Sequence, residues 1–599
     1  MHKEWKQNGL LHLMMLPGLL LIFIYSYGPM VGAIIAFKKF LPAKGIFGSP
    51  WIGWDNFEYV FLMPDTPRII TNTVIIAVAK IAVGIVVPVA AALLLNEVKR
   101  NVFKRTVQTL IYLPHFLSWI ILSGILIDIL SPTSGIVNSL FGWFGANPVY
   151  FLGDNGWFRF TVVLSDIWKE FGFSTVVYLA ALTAISPTLY EAAEADGANR
   201  WRQTWHITLP GMTPVVVLMA TLSLGNVLNA GFDQIFNLYS PQVYETGDII
   251  DTFVYRIGLL QFQYGVSTAV GLFKSVISFM LISISYMLAY RYANYRIFLD
   301  GTWRLLKYNR SAGYRLFALF NYVFLSLVAL SCILPIIHVL AISFSSASAV
   351  TAGEVKLWPV DFTSASYENV FGKPAFIAAS WVSLQRVALG VPLSMLLITL
   401  LAYPLSKDNK QFRFRTLYVW LLVFTMLFSG GLIPYYIAVK ETGLIDSLWA
   451  LVLPSAVQVF NVVLLLNFFR NLPKELEESA KLDGANHWTI LWRIYVPVSL
   501  PALATVMLFT IVYHWNSWFD GLIFMNRPEN YPLQTFLQVN IIVKDLSQMT
   551  AQEAELYFKV NDRTGRAAQI FAASLPILLA YPFLQRFFMK GIVLGSVKG

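Results

Sequence analysis

Twelve long apolar stretches, separated by short polar segments, set the pattern of this chain. They run over about 10–37, 69–95, 106–130, 158–185, 212–238 and 264–289, then 316–344, 379–405, 416–438, 448–469, 498–525 and 567–589. A helix needs ~20 mostly apolar residues to cross a bilayer. The pattern therefore predicts an all-α polytopic membrane protein with twelve transmembrane helices. The first stretch follows Lys3 and Lys6. It is too long for a secretory signal and no small-residue cleavage site follows it, so it reads as a retained span.

Composition agrees. Of 599 residues, 57% are apolar and 13% charged, against ~25% charged in soluble domains. One cysteine, Cys332, excludes an internal disulfide and a cysteine-built zinc site. The net charge of +10 would suit a nucleic-acid ligand in a soluble protein. Here its distribution explains it otherwise. With the N-terminus placed in the cytoplasm, the inner segments hold roughly twice the lysine and arginine of the outer ones, Lys99, Arg100, Lys104 and Arg105 among them. Both termini are expected to be cytoplasmic, and no nucleic acid is needed.

The chain also repeats itself. Residues 191–210 (EAAEADGANRWRQTWHITLP) and 478–497 (ESAKLDGANHWTILWRIYVP) share ten of twenty positions at an offset of 287. The same offset matches Asn229, Phe232 and Asp233 with Asn516, Phe519 and Asp520. Two parallel six-span halves follow: 1–300 and 316–599, joined by a basic cytoplasmic junction at 301–315. Read as helix, Asn and Asp four residues apart share one face, so each fifth span is expected to carry a polar stripe.

The repeated loops, 186–210 and 472–497, fall between spans four and five on the expected cytoplasmic side. Pro187 and Pro473 mark helix starts. Gly197 and Gly484 supply left-handed stops. A second short helix is expected after each, with Trp201/Trp205 or Trp488/Trp492 on one face, ended by Pro210 or Pro497. An amphipathic connector would explain one such loop; two near-identical copies at matching positions ask for a shared partner.

The pattern E-A-A-x-x-D-G-A followed by I-x-L-P resembles the signature of ATP-binding-cassette importer permeases of the multiple-sugar type. The resemblance extends over both halves. Leu16-Pro17-Gly18 and Gly48-Ser49-Pro50-Trp51 are similar to one permease subunit. Phe428-Ser429-Gly430-Gly431-Leu432-Ile433-Pro434, His514-Trp515-Asn516-Ser517-Trp518 and Gly595-Ser596-Val597-Lys598-Gly599 are similar to its usual partner. The family normally uses two polypeptides, which this chain fuses; Ser479 departs from the motif's second alanine. The resemblance implies two type I importer permease halves whose loops are coupling helices. Glu191 and Glu478 would contact an ATPase dimer, with Asp196/Gly197 and Asp483/Gly484 shaping the turns. It also implies ATP and Mg on those partner subunits, an outer solute-binding lipoprotein, and a bacterial plasma membrane. Plant-derived oligosaccharides, uronate-containing ones included, would be the substrates.

No G-x-x-x-x-G-K-[ST] loop occurs, so ATP hydrolysis is expected elsewhere and no catalytic residue or metal ligand is assigned here. Asp562-Arg563-Thr564-Gly565-Arg566 resembles a loop motif of major-facilitator transporters, but it precedes the last span on the expected outer side and reads as accidental.

Charges at membrane depth are functional candidates by default; structural pairing is the alternative for each. Asp166 and Lys169, three apart, could neutralise each other. The expected substrate path uses Asn229, Phe232, Asp233, Trp515, Asn516, Trp518 and Asp520 of the fifth spans, with Trp168, Glu170 and Asn461 of the fourth. Aromatic faces stack on sugar rings, and amides and carboxylates meet hydroxyls. The same groups also serve as interhelical glue. An acidic sugar would call for Lys274 or Arg386 in the path. The competing function is an ion-coupled secondary sugar transporter, which leaves the repeated loops unexplained.

Overall fold

The computed structural model describes residues 2–225, 227–292, 312–541 and 563–596. Most of the expected junction, together with Asn226, Asp562 and the terminal Val597-Lys598-Gly599, lies outside the described residues. Helix dominates, and among the described residues the one bridge between extended residues is the isolated Lys38–Trp51 pair.

Helices appear in all twelve predicted stretches, but not always as one straight rod. Among the described residues six are long and apolar enough to cross a membrane, Thr66–Asn96 and Pro374–Ser406 among them. Others break. The predicted span 106–130 is two segments, Asn101–Phe116 and Trp119–Ile129, meeting at 102°. Its second-half counterpart, Arg415–Leu427 with Leu432–Glu441, bends by 118°. Local chemistry explains both. Pro114 interrupts the first, and the Ser118 hydroxyl caps the new helix by accepting from the Ile121 N–H at 3.2 Å. In the second, Gly431 turns at φ +91°, and a Cβ on Gly430 would sit 2.1 Å from the Pro29 carbonyl oxygen. The predicted span 448–469 is a short helix Leu448–Val452 followed by Val459–Arg470.

The fifth spans correct a second expectation. The first-half helix Leu209–Leu224 ends before Asn229, Gly231 turns at φ +93°, and a new helix Phe232–Leu238 begins. The second-half helix Leu500–Asn516 stops at extended Ser517, and Phe519–Phe524 starts afresh. Asn229/Asp233 and Asn516/Asp520 therefore do not share a helical face: a break separates each pair.

The halves interlock. Leu11, Met14, Met15 and Leu19 of the first helix are buried with Leu401, Leu405 and Leu465 of the second half. Leu325, Ala329 and Cys332 of helix Ala312–Ser343 are buried with Val107, Ile111 and Ile121 of the first. Each half thus lends its first helix to the other. The outside is apolar: Leu316, Leu319, Phe320, Val323, Leu327 and Leu330 form an exposed stripe at helical spacing. Such a stripe suits a lipid solvent rather than water.

Candidate functional site

Each repeated loop folds into the same object. Helix Pro187–Ala195 starts after Ser186, and Gly197 follows at φ +77°. The Ala198 N–H donates to the Ala193 carbonyl at 2.8 Å, closing the turn. The Asn199 side chain then caps the next helix by accepting from the Arg202 N–H at 2.9 Å. Helix Lys474–Leu482, Gly484 at φ +79°, Ala485 on Ala480 at 2.9 Å and Asn486 on Thr489 at 2.9 Å repeat this position for position. Glu191, Asp196, Glu478 and Asp483 are exposed. Trp201/Trp205 and Trp488/Trp492 pair with ring centroids 5.8 and 6.4 Å apart.

Pro210 departs from expectation. It does not end its helix: the chain is helical from Arg200 to Leu224, with a wide turn at Thr204–Thr208 just before the proline. A wide turn absorbs the lost N–H and the ring clash. In the second half the helix does break, by 84°, two residues past Pro497.

A cavity of about 680 Å³ lies between the halves. Tyr25, Asn229, Phe232, Asp251 and Lys274 of the first half face Ser429, Tyr435 and Phe519 of the second across it. Asp251 and Lys274 are the only charged groups in its wall among the described residues, and they form an ion pair. This volume and mixture of aromatic, hydroxyl and charged groups match sites that enclose a small polar ligand.

The predicted path residues divide. Asn229 and Phe232 line the cavity. Asp233 is exposed at the first-half break and accepts the Trp518 indole N–H at 3.1 Å. Phe232 also touches Trp518 and Phe519, with ring centroids 6.2 and 4.8 Å away. Asn516 donates across the halves to the Phe116 carbonyl at 2.8 Å. The others are placed elsewhere. Trp515 is buried and donates to the Ala573 carbonyl at 3.1 Å. Asn461 is buried against Gln458 and Thr510. Trp168 donates to the Ser331 carbonyl at 3.2 Å, and Glu170 is held by His115 at 2.7 Å and Lys169 at 2.9 Å. Asp520 is gripped by the two terminal guanidinium nitrogens of Arg386, whose side chain is fully buried. In this conformation Trp515, Asn461, Trp168, Glu170 and Asp520 bind helices to one another, and, like Asp233, Asn516 and Trp518, none of them lines the cavity.

The Asp166–Lys169 pairing is also corrected. Asp166 pairs with Lys80 of span two at 3.0 Å, while Lys169 turns to Glu170 and the His115 carbonyl. Asp128 pairs with Arg563, so the motif-like segment near the last span serves as a cross-half tie.

Sequence reasoning missed the root of the second loop. Lys407 donates to Glu477 at 2.7 Å and to the Tyr495 hydroxyl at 3.1 Å, and Tyr495 donates to the same carboxylate at 2.6 Å. Burial pushes the Glu477 carboxyl up, but Lys407 outweighs it and holds the group at about 2. Burial takes the Lys407 ammonium down to about 8. The signal was a mismatch: Tyr190 stands in the first repeat where Glu477 stands in the second.

Residues 84–299 and 375–593 match the family described as the binding-protein-dependent transport system inner membrane component, and this chain belongs to that family. Among its relatives in Bacillus subtilis (strain 168) are two polygalacturonan/rhamnogalacturonan transport system permease proteins. YteP is 41% identical over 292 residues, covering 49% of this chain and 91% of that protein. YtcP is 41% identical over 285 residues, covering 48% and 99%. A solved bacterial ABC transporter involved in import of the acidic polysaccharide alginate is 39% identical over 49% of this chain and 99% of that chain, with a TM-score of 0.46. YteP and YtcP each account for about half of this chain, as two tandem family domains require. The chain is a multi-pass membrane permease component, and such components are not themselves catalytic.

Proposed function

We propose that this chain supplies both permease halves of an ATP-driven importer that carries oligosaccharides or polysaccharide fragments into the cytoplasm. The observation that carries this reading is the pair of loops with matching turns, each presenting an exposed glutamate on the helix that precedes its glycine turn. ATP and Mg are bound by a partner ATPase dimer, whose closure moves the loops and switches the cavity from one side to the other. Glu191 and Glu478 are the docking contacts. An outer solute-binding lipoprotein delivers the sugar. The membrane is the bacterial plasma membrane, with both termini on the ATPase side.

In the cavity, Phe232 and Phe519 offer ring faces, and Asn229, Tyr25, Tyr435 and the Lys274–Asp251 pair offer hydrogen bonds to hydroxyls. An ion-coupled mechanism leaves both loops without a partner.

The test is affinity purification from native membranes with mass spectrometry of what accompanies the chain, beside a Glu191→Ala/Glu478→Ala variant. An ATP-binding-cassette ATPase that accompanies the parent and is depleted with the variant is expected. Recovery of the parent chain alone under mild detergent would overturn the reading.

A further inference from the structure

The first-half wall of the cavity is built on the break in the fifth span. Helix Leu209–Leu224 ends, Gly231 turns at φ +93°, and helix Phe232–Leu238 begins. Asn229 and Phe232, one on each side of the turn, line the cavity. No continuous helical ladder runs through this stretch to fix where the two side chains stand.

The fixing group comes from another helix. Lys80 lies in the middle of helix Thr66–Asn96, the second span, and its side chain is 9% exposed. Its ammonium donates to the Ala230 carbonyl at 2.8 Å, just before the turn, and to the Gln234 side-chain oxygen, just after it. Its third partner is Asp166 of helix Asn155–Thr183, the fourth span, at 3.0 Å. Three donors thus meet three acceptors. Gln234 extends the connection, its amide donating to the Val162 carbonyl at 2.7 Å and the Ser165 hydroxyl at 2.8 Å. Gly231 is required twice: for its left-handed turn, and because a Cβ would stand 2.7 Å from the Lys80 nitrogen. A charge at membrane depth is costly, and this one is directed at the turn; Lys80 itself does not line the cavity. The second half places a cation of its own second span in a comparable way. Arg386 holds Asp520, which follows the cavity residue Phe519 just past the break at Ser517.

We propose that Lys80 is a positioning residue for the sugar site: by holding Ala230 and Gln234 it fixes the turn at Gly231, and with it the direction in which Asn229 and Phe232 face the cavity. That these groups meet a sugar rests on the importer reading above; that Lys80 fixes the turn does not.

The experiment reads the two separately. In a Cys332→Ala background, a nitroxide-labelled cysteine replaces Asn229 in the full chain. Lys80→Met with Asp166→Leu removes the pin without stranding either charge, and the label should become more mobile. Asp166→Asn, which keeps Lys80 on Ala230 and Gln234, should leave the label as it is in the parent. In the unlabelled, reconstituted complex, Lys80→Met/Asp166→Leu should raise the half-saturating concentration of a trigalacturonate probe roughly tenfold, the loss of about one good polar contact. The maximal rate and the bound ATPase should be unchanged, as expected when only binding is lost. A label at 229 that the double variant leaves unmoved overturns the proposal. So does Asp166→Asn that mobilises the label as far as the double variant does, or a double variant that lowers the maximal rate and leaves the half-saturating concentration where it was. If no ATPase accompanies the chain, the importer reading fails, and the label still decides whether Lys80 holds the turn.

Discussion

The Trp518 indole N–H donates to the Asp233 carboxylate at 3.1 Å, joining the broken fifth spans of the two halves. Both residues lie just past a break, so neither is held by a continuous helix. Trp518→Phe keeps the ring contact with Phe232 and deletes the bond. A hydrogen bond to a charged group contributes about 1.5–3 kcal/mol. Thermal unfolding in detergent should show a loss of that order, and Asp233→Asn, which keeps an acceptor, should lose less.

The fully buried Arg386 side chain forms an ion pair with Asp520. Arg386→Met alone strands a carboxylate and should cost about 3–5 kcal/mol, whereas Arg386→Met with Asp520→Leu should recover most of it. Thermal melts of the single and double variants decide this. If Asp520→Asn lowers sugar transport while leaving the melt unchanged, Asp520 acts in the path rather than as a tie.

The turn glycines Gly197 and Gly484 sit at φ +77° and +79°, with open space where a Cβ would go. Alanine at either is therefore opposed by backbone strain alone, about 1–2 kcal/mol. Gly484→Ala should weaken ATPase co-purification by tilting the helix that carries Glu478. Glu478→Ala should weaken it with no change in the chain's melting temperature, because Glu478 is exposed.

Lys274 is the one cation in the cavity wall among the described residues. In reconstituted complex, Lys274→Met with Asp251→Asn should reduce uptake of a trigalacturonate probe about tenfold relative to neutral galactotriose, since a tenfold effect needs only ~1.4 kcal/mol of lost attraction. Equal change for both sugars would make the pair purely structural.

The second loop should be acid-labile. Burial, with the nearby Lys407 and Lys481 charges, pushes the His487 imidazole down from 6.5 to about 4. Its folded value is depressed, so its contribution is full above pH 6.5 and is lost as pH falls through 4. Melting temperature should fall across that window, and His487→Asn should flatten the fall.

How much of this was legible beforehand depended on range. The turns of the repeated loops form at Gly197 and Gly484 as expected, because a left-handed turn between two short helices is specified by residues next to one another. Pro210 was misread, since a wide turn upstream can carry a proline without ending the helix. The fifth-span stripe was misread for a similar reason: Gly231 and Ser517 interrupt helices that apolar composition alone would continue. Charge partners were the least legible. Asp166 had a lysine three residues away, yet it pairs with Lys80 on another helix.

Sequence alone determined the membrane class, the tandem halves, the family signature and the turn chemistry of the loops, all of which rest on composition, repetition or contacts within a few residues. The tertiary structure alone decided the lending of first helices between halves, the Lys274–Asp251 cavity wall, the burial of Trp515 and Asn461 away from it, and the Lys407–Glu477–Tyr495 clamp. These depend on which helix face lies opposite which, a relation set by the packing of distant segments and by the cost of leaving any buried charge without a partner.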